Sequence, residues 1–134
     1  MDMTASDLSI LITDDDDNFR ETVRGVFQPR GFRTLTAGDG QEALDIVQRE
    51  NVHLLLLDMH MPRLTGLETL RRVKQVKAIL PCILMSARAD EALVRQALMA
   101  QAFAVLPKPV SRANLIEQVD QALRRVYNWP QRPS

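Results

Sequence analysis

The sequence predicts an α/β domain: a five-stranded parallel sheet doubly wound by five helices. Three observations carry this reading. Short apolar runs alternate with longer stretches of helical spacing along the whole of the 134 residues. The runs themselves are too apolar for a sheet with one wet face, so helices must cover both sides. Finally, 46% hydrophobic and 25% charged side chains are ordinary for one compact unit of this length.

The first run, 8-LSILIT-13, is strand-sized and rich in branched side chains. It leads into 14-DDDD-17, where Asp16 or Asp17 caps a helix and adds favourable charge at its N-terminus. That helix carries Phe19, Val23, Val26 and Phe27 on one face and stops before 28-QPRG-31. The second run, 32-FRTLT-36, precedes a helix marked by Ala43, Leu44 and Val47. The third, 53-HLLLL-57, ends at Asp58. Gly66 then either starts the next helix or gives room to the loop beside Asp58.

Leu67, Leu70 and Val73 mark that third helix, with Arg71, Arg72, Lys74 and Lys77 as its solvated face. The fourth run is 82-CILMS-86, followed by a helix with Leu93, Ala97 and Leu98 on its inner side. The fifth is 103-FAVL-106; 107-PKP-109 and a helix bearing Leu115, Val119, Ala122 and Val126 complete the pattern. The domain is expected over 1–126. Two prolines interrupt 127-YNWPQRPS-134, which reads as a frayed end or the start of a linker.

Composition also narrows the function. Lysine plus arginine equals aspartate plus glutamate at 17 each, so no overall charge draws the chain to nucleic acid or an anionic membrane. Cys82 is the single cysteine; it has no disulfide partner and reads as core packing in a reducing compartment. The N-terminus is acidic where a secretory signal is basic, and no apolar stretch reaches bilayer length. A cytoplasmic protein is expected.

Strand ends locate the chemistry. In an open parallel sheet, residues just past the carboxyl ends of the strands converge on one edge, and ligands bind where the strand order reverses. Here those positions are the aspartate run, Asp58, Ser86 and 107-PKP-109. Two or more carboxylates in one crevice repel unless a cation sits between them, and carboxylates, a carbonyl and water are the ligands of Mg²⁺. Lys108 adds an ammonium and Ser86 a hydroxyl. Such a group suits phosphoryl transfer, in which the protein positions groups and neutralises charge. Asp58, held at the tip of a buried strand, is the nucleophile of that reading.

These residues carry a resemblance. Across about positions 8–126 the chain resembles a response-regulator receiver domain of two-component signalling. ILITDDDDNFR is similar to the family's acidic pair and following arginine, LLLLDMHMPRLTGLE to its phosphoacceptor loop, ILMSA to its hydroxyl position and LPKP to its lysine and proline. The resemblance implies a flavodoxin-like fold with strand order 2-1-3-4-5. It implies Asp14 and Asp15 as the acidic pair, Asp58 as phosphoacceptor, and the backbone carbonyl of His60 as a further Mg²⁺ ligand. Ser86 and Lys108 then bind the phosphoryl oxygens, and the Lys108–Pro109 peptide is cis. Arg88 lies where the family varies near the phosphoryl group, either shielding it or simply solvated.

The implied partners are a sensor histidine kinase or phosphotransfer protein and an unnamed effector, without direct nucleic-acid or membrane binding. The implied state is a monomer or weak phosphorylation-dependent dimer. The domain then catalyses only its own phosphorylation and dephosphorylation. Two rivals compete: a receiver-like interaction module that is not phosphorylated, and a Mg²⁺-dependent phosphohydrolase, for which a cap over the site is missing. Two departures stand out. The family has an aromatic residue three positions before the lysine, where this chain has Val105, and Phe103 by the period of two should share its face. A glycine after the fourth helix is replaced by 100-AQA-102, so Gln101 faces a left-handed turn.

Overall fold

A computed structural model describes residues 3–130. Five parallel strands, β1 (Ser9–Thr13), β2 (Arg33–Ala37), β3 (Leu54–Asp58), β4 (Cys82–Ser86) and β5 (Ala104–Pro107), form one sheet in the order β2-β1-β3-β4-β5. Five helices alternate with them: α1 (Asp17–Phe27), α2 (Gly40–Arg49), α3 (Gly66–Val76), α4 (Glu91–Met99) and α5 (Arg112–Tyr127). Every helix begins on a side chain that accepts a hydrogen bond from its first turn: Asp16, Asp39, Thr65, Asp90 and Ser111. These caps satisfy amides that the helix itself leaves unpaired.

The four leucines before Asp58 show how the sheet is covered. Leu55 and Leu57 join Leu11 and Leu84 in a core closed by α2, α3 and α4, whereas Leu54 and Leu56 join Ile10, Ile12, Ile83 and Met85 beneath α1 and α5. Successive side chains point to opposite faces, so a strand buried on both sides must be apolar at every position. All four are fully buried. β1 pairs with β2 on one side and β3 on the other; the order therefore reverses beside β1, and the crevice opens past the ends of β1 and β3.

Three local features depart from the simple pattern. Phe103 is not on the face of Val105, correcting the period-of-two reading: it precedes β5 and packs on the α1–α5 core under the guanidinium of Arg125, 5.2 Å from the ring centre, while Val105 packs on the α2–α4 core. Gln101 does take a left-handed conformation, φ 71°. The third lies at the C-terminal end of α5. Tyr127 belongs to α5, and the Trp129 ring meets that of Phe32 at 5.1 Å, because two aromatic side chains find apolar partners at the sheet's lower edge. Positions 131–134 lie outside the described residues.

Candidate functional site

Three strand ends deliver the central residues. Asp14 follows β1, Asp58 closes β3 and Lys108 follows β5. The Lys108 ammonium lies 2.8 Å from an Asp14 carboxylate oxygen and 3.0 Å from one of Asp58. Its approach is fixed from several sides: its backbone N–H donates to the Ser86 carbonyl at 2.8 Å, its side chain lies over the Phe19 ring at 4.2 Å, and the Lys108–Pro109 peptide is cis. Phe19 comes from the first turn of α1, where Asp16 caps the helix. The other Asp14 oxygen accepts the backbone N–H of Asp16 at 2.9 Å.

Asp14 and Asp58 are buried, at 1% and 3% exposure, and Asp15 is exposed at the rim. Carboxylate oxygens from the three lie within 4.8 Å of one another. This oxygen-only set, with two charges sharing one ammonium, fits a hard divalent cation better than zinc. Burial pushes the Asp58 carboxyl above its ordinary range. The Lys108 hydrogen bond opposes that, and the charge of Asp14 adds to it. Burial lowers the Lys108 ammonium, but its bonds to Asp14 and Asp58 outweigh this and hold it above its ordinary value. The cluster is therefore rich in negative charge for the cations it contains.

Ser86 ends β4 fully buried. Its hydroxyl oxygen accepts the backbone N–H of Arg88 at 3.0 Å and lies 3.2 Å from Nε2 of His60. The structure thus brings Asp14, Asp15, Asp58 and Lys108 into one cluster and places Ser86 at the end of the neighbouring strand, held by His60. Gly66 answers both of its sequence readings. It opens α3, and a Cβ there would run into the Asp58 carbonyl and the Met59 backbone.

Sequence reasoning missed two contributors, the His60 side chain and the Phe19 ring; Arg20, the arginine of the ILITDDDDNFR motif, donates to the Asp14 carbonyl at 2.5 Å and also pairs with Asp17. Helical spacing from the Asp16 cap was the available signal for Phe19, which stands in the first turn of α1. Beside the cluster, a cavity of about 450 Å³ is lined by Asp16, Phe19, Ala87, Lys108, Pro109 and Val110.

Residues 10–120 match the sequence profile of the response regulator receiver domain. The chain belongs to this family. Among curated relatives, response regulator RR06 of Streptococcus pneumoniae is 34% identical over 120 residues, 90% of this chain and 55% of the relative. The receiver chain spans about half the length of several such relatives. Among solved structures, a CheY-like receiver domain protein from Methanospirillum hungatei superposes with a TM-score of 0.87 at 25% identity, covering 90% of this chain and 97% of that one. A chain of the CheX–CheY–BeF3–Mg²⁺ complex from Borrelia burgdorferi gives 0.83 at 28%, covering 87% and 89%. The receiver fold is shared throughout, and no described helix is long and apolar enough to cross a membrane.

Proposed function

We propose that this receiver domain takes a phosphoryl group onto Asp58 from a phosphohistidine of a partner sensor kinase or phosphotransfer protein. The observation that carries the reading is the meeting of Asp14, Asp58 and Lys108 at the strand ends of a receiver fold. An Asp58 carboxylate oxygen forms the new O–P bond as the donor's N–P bond breaks, and the electron pair leaves with the imidazole nitrogen. Burial at the end of a rigid strand holds the attacking oxygen in place. Lys108, already paired with Asp58, neutralises charge on the incoming oxygens, and Ser86 donates its hydroxyl to another.

Asp14, Asp15 and Asp58, with the backbone carbonyl of His60, are the residues to hold Mg²⁺. When bound, that ion neutralises the carboxylate cluster and the phosphoryl oxygens. The similar Borrelia burgdorferi complex contains BeF3 and Mg²⁺, which supports the same ligand chemistry here. The domain, over 1–126, is its own catalyst for phosphorylation and dephosphorylation and works in the cytoplasm. The cavity beside Phe19 and Pro109 offers apolar contact to the donor protein.

Treatment with acetyl phosphate and Mg²⁺, followed by intact-mass measurement, tests the reading. One added phosphoryl group, absent without Mg²⁺ and absent in Asp58→Asn, is the expected result. No mass shift in the wild-type chain overturns it.

A further inference from the structure

We propose that the His60 imidazole is a positioning residue that latches the Ser86 hydroxyl in the resting domain and must surrender it to the phosphoryl group. The inference rests on the phosphoacceptor reading and extends it to a side chain that reading does not use. Nε2 of His60 lies 3.2 Å from the Ser86 hydroxyl oxygen, which at the same time accepts the Arg88 N–H at 3.0 Å. A hydroxyl has one proton to donate, and when buried it finds an acceptor. Among the described residues, Nε2 is the only atom within hydrogen-bond reach of that oxygen able to serve as an acceptor, the other partner being the Arg88 N–H donor. In the tautomer that satisfies this donor, the Ser86 proton points at His60 and Nδ1 carries the ring's N–H, an assignment made from the hydrogen-bond network.

A phosphoryl oxygen offers lone pairs and no proton, so it too needs Ser86 as a donor. One proton cannot serve both acceptors. Phosphoryl arrival at Asp58 then pulls Ser86 off the ring, and His60, exposed on the loop after β3, is released toward solvent. Ser86 itself has nowhere else to go: it is fully buried, with β4 and the Arg88 amide holding it from behind. The cost of breaking the latch falls on the uptake step, and its size is that of one neutral hydrogen bond.

The test is a double-mutant cycle on the rate of uptake from acetyl phosphate with saturating Mg²⁺, using the wild-type chain, His60→Ala, Ser86→Ala and the double variant. His60→Ala should take up phosphoryl faster by about fivefold, the kinetic equivalent of one neutral hydrogen bond. In the Ser86→Ala background the same change should do nothing, because the latch is already gone. As a second readout, the ring-nitrogen NMR signals of His60 should shift when beryllofluoride and Mg²⁺ are added to the wild-type chain. The resting Ser86→Ala variant should already show a ring free of the hydroxyl. Slower uptake in His60→Ala, or an equal effect in both backgrounds, overturns the latch while leaving the phosphoacceptor reading intact. No uptake by any variant, the wild-type chain included, defeats the phosphoacceptor reading and the latch with it.

Discussion

Phe103 and Val105 are two residues apart yet pack on opposite faces of the sheet, Phe103 against α5 beneath Arg125 and Val105 against the α2–α4 core. The aromatic ring therefore cannot reach the face of Val105 by a change of rotamer; the sheet stands between. A switch needs an element with two arrangements that phosphorylation biases, and at this position the chain has only a valine. Backbone NMR shifts on phosphorylation should concentrate at Asp58, His60, Ser86 to Asp90 and Lys108, with small changes along β5. Large shifts at Phe103 and Arg125 would show instead that the ring–guanidinium contact is the moving part.

Asp58→Asn should leave the fold intact and raise its stability at neutral pH, because the Asp14 carboxylate remains to pair with Lys108 while one buried charge is removed. The sign follows from the raised Asp58 carboxyl. A carboxyl raised on folding stabilises the native state while protonated, and that contribution is lost as pH rises through the folded value. At neutral pH the charge is a cost, which the amide removes. Urea melts at pH 7 check this; a lower midpoint for the variant counts against it.

Asp15→Asn should weaken Mg²⁺ binding by about tenfold or more, on the scale seen when even an outer-shell partner of a metal is lost. Because Asp15 is exposed, folding stability should change little. Calorimetric titration with Mg²⁺ decides the matter, and an unchanged affinity removes Asp15 from the ligand set.

Gln101→Gly should stabilise the domain by about 0.5–1 kcal/mol, since a non-glycine residue at φ 71° pays a steric cost that glycine does not. Gln101→Ala should not give this gain. The comparison of the two urea midpoints separates backbone strain from any loss of side-chain contact.

His53 supplies a pH dependence remote from the site. Its Nδ1 accepts the Ser9 backbone N–H at 3.0 Å and its ring meets Tyr127 at 5.3 Å. Burial lowers its pKa from the ordinary 6.5, against a weaker opposing pull from Asp7. Between the lowered folded value and 6.5 the unfolded chain binds the extra proton, so stability rises with pH across that window and falls as the medium is acidified. His53→Asn should flatten the slope of stability against pH in this range, and an unchanged slope would assign it to other groups.

Most of the fold was legible because covering a sheet on both faces forces continuous apolar runs, and a run such as LLLL has no other economical reading. Each strand lies within one residue of its predicted run. Asp14, Asp58 and Lys108 were legible for a related reason: strand ends must converge, and charged side chains stood at three of them. What was hidden depends on side-chain direction just outside the regular elements. Phe103 escapes the alternation because it precedes β5, and His60 reaches Ser86 from a loop whose course no period describes. Trp129 meets Phe32 edge to face, a contact between positions far apart in the chain that no local pattern announces.

The bond between Lys108 and Asp14 spans 94 positions of the chain, and this sets an order of events at the ribosome. β1 and β3 emerge first and can pair while β5 is still unmade, leaving Asp14 and Asp58 side by side without their ammonium. A nascent chain at that stage must carry both carboxylates uncompensated, or protonate one, or keep the strand ends apart. Only when the last strand docks does the ammonium arrive to join the two. Completion of the sheet and completion of the cluster are thus one event, and no truncated product of synthesis ending before Lys108 can bring Asp14, Asp58 and the ammonium together.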